Sequence, residues 1–81
     1  MSGKEECFMP LSMMEKGDVK VITEFRGEEG MKRHLQNLGF IRGEKVQVVG
    51  ENSSGMILMI KGVRLALNYV LANRIMVADQ P

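Results

Sequence analysis

The chain has 81 residues, 44% hydrophobic and 26% charged, with 11 basic against 10 acidic side chains and a net charge of +1. That length supports one domain with a modest core and little room for a deep catalytic cleft, and the composition is too apolar for intrinsic disorder. The near-neutral charge lacks the positive field that draws nucleic-acid phosphates, and no apolar run reaches the roughly 20 residues that cross a bilayer.

Residues 1–9 are polar and aperiodic, and read as a flexible N-terminal tail. No apolar h-region follows Met1 to Glu6, and Cys7, the single cysteine, cannot form an internal disulfide, so a reducing cytoplasm is expected. Residues 10–78 form the predicted domain, and 79–81 a C-terminal tail. Ser12 and Glu15 have the spacing of a capping box over a helical turn, with Gly17 as its stop.

From Asp18 to Phe25 the sequence alternates, placing Val19, Val21, Thr23 and Phe25 on one strand face and Lys20, Ile22 and Glu24 on the other. Glu28 and Glu29 set acid at a helix N-terminus ahead of Met31, Leu35 and Leu38, the one substantial helix. Glu28 with Lys32 and Glu29 with Arg33 are i,i+4 pairs that mark its solvated side. Gly39 and Phe40 then supply a Schellman-type stop.

Lys45 to Val49 is a second strand and Met56 to Ile60 a third, joined as a hairpin by Asn52-Ser53-Ser54-Gly55. Lys61-Gly62 is a two-residue link to Val63–Leu67, provided Lys61 takes a positive φ. Asn68 caps a short turn through Ala72, Asn73 ends it, and Arg74 to Ala78 is a last strand with Ile75 and Val77 on one face. The fold class is mainly β with short helices: a small, partly open five-stranded barrel with one inserted α-helix.

These punctuating residues, Pro10-Leu11-Ser12 with Gly17-Asp18, Leu35…Leu38-Gly39-Phe40-Ile41-Arg42-Gly43, Gly62…Ala66-Leu67 and Ala72…Ile75…Val77, resemble in order and spacing the FeoA family of ferrous iron transport. The resemblance covers Pro10 to Val77 and departs from the family where Arg42 stands in place of a common proline. It implies an SH3-like fold, no enzymatic activity, and association with FeoB, the iron permease whose cytoplasmic domain hydrolyses GTP. The chain also resembles the SH3-like C-terminal domain of iron-dependent repressors, but the residues before Pro10 are too few for a recognition helix.

Catalytic chemistry has little to work with. One histidine and one cysteine do not assemble a nucleophile, base and orienting group, and Gly27 to Gly30 lacks the phosphate-loop pattern. His34, the only histidine, sits beside the apolar stripe of the helix without companion ligands, and Cys7 with Glu5 and Glu6 would have to order a tail to hold an ion. No catalytic, cofactor or metal site is therefore expected. Arg26, Arg42 and Arg64 are formal candidates for an arginine acting in trans on a GTPase.

The strand Met56–Ile60 is apolar on both faces, one more than a half-exposed barrel strand needs. Met56, Leu58 and Ile60 are accordingly the expected partner-binding residues, with burial of all three in the monomer as the competing outcome. The reading is an interaction module that docks on the permease; its rival is a metal sensor whose oligomeric state responds to iron or zinc. A weak homo-oligomer stays open.

Overall fold

The computed structural model describes residues 8–79. In chain order they form β1 (Met9–Pro10), a 3₁₀ turn (Leu11–Met13), β2 (Val19–Phe25), α1 (Glu29–Asn37), β3 (Lys45–Glu51), β4 (Gly55–Ile60), β5 (Val63–Asn68), α2 (Tyr69–Ala72) and β6 (Ile75–Ala78). All strand pairings are antiparallel, in one open six-stranded sheet of order β1-β6-β2-β3-β4-β5. The predicted mainly β architecture stands, with one strand more than the sequence suggested. Met9, read as the end of a polar tail, pairs with Val77, and Pro10 pairs with Met76.

β6 lies between β1 and β2, and all four of its residues are buried. The expected one-sided alternation of Ile75 and Val77 therefore gives way to a strand covered on both faces. β2 also departs from its pattern. Up to Thr23 its more apolar face is not the core face: Ile22 alone is fully buried, Val19 is exposed, and Val21 and Thr23 are only partly covered, whereas Phe25, past the register shift, packs half-buried against the core. A register shift against β6 between Ile22 and Glu24 interrupts the simple alternation from which the face was read.

Local signals that need no distant partner are realised closely. The Phe40 N–H bonds the Leu35 C=O and the Gly39 N–H the Gln36 C=O, both at 3.0 Å, with Gly39 at φ 109: a Schellman stop that delivers Phe40 into the core. Leu35 is buried and Met31 half-buried, but Leu38, the C-cap residue just before Gly39, is exposed. The two expected Glu–Lys and Glu–Arg pairs on the helix are not closed into ion pairs.

The capping box does not form. The 3₁₀ turn starts on Leu11, so Ser12 lies inside it and its hydroxyl meets the Asn73 side chain, while the Glu15 N–H bonds the Asp18 carboxylate at 2.9 Å. That contact ties the entry of the fold to the end of α2. The core gathers Leu11, Met14, Leu35, Phe40, Val46, Val48 and Ile75 around the inner face of β4.

Candidate functional site

β4 decides where an apolar docking surface can lie. Met56, Leu58 and Ile60 are 1%, 0% and 2% exposed, so the three residues expected to bind a partner are core residues instead. The excess of apolar character on this strand is real, but its parity is the reverse of the expectation. Ile57 and Met59, on the opposite face, are the pair left partly open to solvent.

Cross-strand neighbours define the ground around them. Ile57 stands between Gly50 of β3 and Ala66 of β5, and Met59 between Gln47 and Arg64. Directly opposed residues share a face, so Ile57 is flanked by the two smallest side groups available and rises as a ridge above them. A Cβ on Gly50 would lie 3.8 Å from Ile57 Cδ1, in contact with its flank. Next to the ridge is a depression of about 220 Å³ edged by Asn52, Ser54, Gly55, Ile57, Ala66 and Asn68.

The rim of that depression is rigidly built. Asn52 Oδ1 accepts from the backbone N–H of Ser54 at 2.9 Å and of Gly55 at 3.0 Å, and the Asn52 N–H bonds the Gly55 C=O at 2.9 Å. Asn68 Oδ1 accepts from the Leu71 N–H at 2.8 Å, capping α2 as the sequence predicted. The Tyr69 hydroxyl lies 3.1 Å from Glu51 Oε1 and 3.0 Å from the Asn52 carbonyl, bracing α2 against the turn. Partial burial, then the hydrogen bond and negative charge of Glu51, push the phenol above its ordinary pKa of 10.0.

A larger cleft, about 400 Å³, lies between β2 and the turn ahead of β3, lined by Phe8, Ile22, Thr23, Glu24, Arg42 and Gly43. Its charged groups are already engaged: Arg42 Nε donates to the Thr23 C=O at 3.0 Å, and Glu24 lies 3.7 Å from Arg26. Of the three arginines considered for action in trans, Arg26 and Arg42 are thus tied locally. Arg64 is exposed beside Met59 and makes no ion pair among the described residues.

His34 is exposed on α1, and among the described residues no three His, Asp, Glu or Cys side chains come together as a metal site. Cys7, Glu5 and Glu6 lie outside the described residues. No helix among those described is long and apolar enough to cross a membrane. The arrangement offers a partly apolar sheet face, ridged at Ile57, beside a hydrogen-bonded rim.

The FeoA domain family model matches residues 9–79. The chain belongs to the FeoA family. A crystal structure of an iron uptake regulatory protein, FeoA, is 32% identical over 89% of this chain and 97% of its own, with a TM-score of 0.83. FeoA of Stenotrophomonas maltophilia, solved with zinc and described as a procaryotic SH3-domain protein put forward as a ferrous iron transport activating factor, is 25% identical over 85% of this chain and 88% of its own, TM-score 0.75. A manganese-dependent transcriptional repressor shares the fold, with a TM-score of 0.85 at 15% identity, but this chain spans only 44% of it. No curated protein sequence matches the chain significantly. The FeoA assignment makes the six-stranded sheet an SH3-like fold and links the chain to ferrous iron transport.

Proposed function

We propose that this FeoA chain is a cytoplasmic, non-enzymatic accessory of ferrous iron uptake that binds the cytoplasmic portion of the permease FeoB. The observation that carries the reading is the match of the FeoA model to residues 9–79, nearly the whole chain. An accessory of this size acts by contact, and contact needs desolvatable area with a polar rim. The outer face of β3–β5 supplies both: Ile57 and Met59 as the apolar centre, Gln47, Arg64 and Asn68 around them.

The test is a heteronuclear NMR titration of the labelled chain with the cytoplasmic portion of FeoB. Shifts centred on Ile57, Met59 and Ala66 are expected, and replacing Met59 with Glu should weaken binding at least about tenfold, as removal of a buried interface anchor does. Shifts confined to the Phe8–Arg42 cleft would move the docking surface there. An unchanged spectrum would remove FeoB as the partner.

A further inference from the structure

The sheet has two edges, and they are not alike. β1 is two residues long and contains Pro10, which has no N–H to offer, whereas β5 runs for six residues. The hydrogen-bonding parity of β5 follows from its turn. Lys61 and Gly62 have φ values of 52° and 78°, the left-handed pair of a type I′ hairpin, which makes Ile60 and Val63 the closing pair that exchanges both backbone bonds.

Parity then alternates along the strand. Val63, Leu65 and Leu67 direct their N–H and C=O toward β4, and Arg64 and Ala66 direct theirs away from it. The bond from the Tyr69 N–H back to the Ser54 C=O at 3.4 Å falls where this alternation puts the next bonded pair. Among the described residues nothing pairs with the outward groups of Arg64 and Ala66. Val63, on the core side of the sheet, is nonetheless 54% exposed, and Leu65 is only half-buried.

We infer that β5 pairs antiparallel with β5 of a second copy of the chain, about a two-fold axis at Leu65. In that register Arg64 lies opposite Ala66 of the other copy, and the two residues exchange both backbone bonds on each side of the axis. Leu65 meets its own counterpart as a non-bonded pair, where side chains approach most closely, so the two half-buried leucines cover one another, and the exposed Val63 lies opposite Leu67, which is buried in its own copy. Registers one residue away are barred by parity. Of the two allowed alternatives two residues away, the one centred on Arg64 opposes like charges, and the one centred on Ala66 sets Arg64 against Asn68, which is engaged in starting α2.

A second copy fits better than a head-to-tail neighbour, because β1 is too short and too proline-limited to receive β5. The pairing is therefore isologous and closes at two. With a net charge of +1, two copies approach without strong repulsion. The pairing is independent of FeoB and would stand if that partner failed.

Sedimentation equilibrium of the chain alone, from about 10 μM to about 1 mM, tests it, since a short strand-edge contact is at the weak end of protein interfaces. A reversible monomer–dimer equilibrium is expected, with slower amide exchange at Arg64 and Ala66 as concentration rises. Ala66 is exposed, so it tolerates substitution, and it faces Arg64 twice in the dimer. Ala66→Glu should tighten the dimer about fivefold and Ala66→Lys weaken it about fivefold, from two cross-strand charge pairs. A monomer at 1 mM, or variants that change association without this opposition of sign, would overturn the pairing.

Discussion

Alanine at position 55 would test the β4–β5 geometry directly. Gly55 is buried at the start of β4, and a Cβ built on it would lie 2.5 Å from the Leu67 carbonyl oxygen and 2.9 Å from Asn68 Cα. Both obstacles are backbone, so no rotamer change relieves them; β5 has to move away from β4 at the pair Gly55–Asn68. Overpacking of this kind costs about 1–3 kcal/mol, and loss of glycine's freedom in the unfolded chain returns about 0.4–1 of it. The net loss is about 1.3 kcal/mol, a fall in Tm of about 5–10 °C for a domain of this length. Urea and thermal unfolding of Gly55→Ala measure it, with Gly30→Ala as the counterpart. Gly30 lies in α1 with nothing within 4 Å of its Cβ position, and alanine there should stabilise by about 0.5–1 kcal/mol. A Gly55→Ala protein within about 0.5 kcal/mol of the parent would refute the close approach of the strands.

Two further perturbations probe the frame of the same face. The Tyr69 phenol titrates above 10.0 in the folded chain, so above that pH the unfolded chain releases its proton first; stability is complete below pH 10 and declines as pH rises through the folded value. Tyr69→Phe should flatten this decline in alkaline unfolding curves, and an unchanged curve would assign it to other groups. Lys61 holds φ 52° without being glycine, and its contact with Glu44 at 3.7 Å is solvent-exposed and weak. Lys61→Asn, the preferred residue of this turn before glycine, should raise stability by about 0.5 kcal/mol in the same denaturation assay.

How much of this was legible in the sequence depends on the range of the interaction concerned. The Gly39–Phe40 stop, the Asn68 cap and the Lys61-Gly62 turn are fixed by backbone conformations a few residues long, and the structure realises each. The β1–β6 pairing joins Met9 to Val77 across nearly the whole chain, and two residues carry no periodic signal from which it could be read. On β4 the sequence revealed that one apolar face was surplus, but in Met-Ile-Leu-Met-Ile both parities are equally apolar, so nothing local distinguished core from surface. Glycine and alanine at 50 and 66, cross-strand from Ile57, were the available clue, visible only once the registers of β3, β4 and β5 are combined. Ser12 missed its capping role because the turn starts on Leu11 with Pro10 at the cap position, which leaves the Ser12 hydroxyl to the tertiary contact with Asn73.

The sheet order carries a consequence for how the molecule comes together and apart. β3, β4 and β5 are consecutive neighbours joined by short turns, whereas Phe25 of β2 meets Ile75 of β6 only after roughly fifty intervening residues have been looped out. Closing that loop costs about 2 kcal/mol more chain entropy than closing a tight hairpin, before any contact repays it. The meander can therefore form as a nucleus while the two chain ends are still free, and β6 with β1 zips on last. In unfolding the order reverses, so the N- and C-terminal strands should exchange their amides together, ahead of the central hairpins.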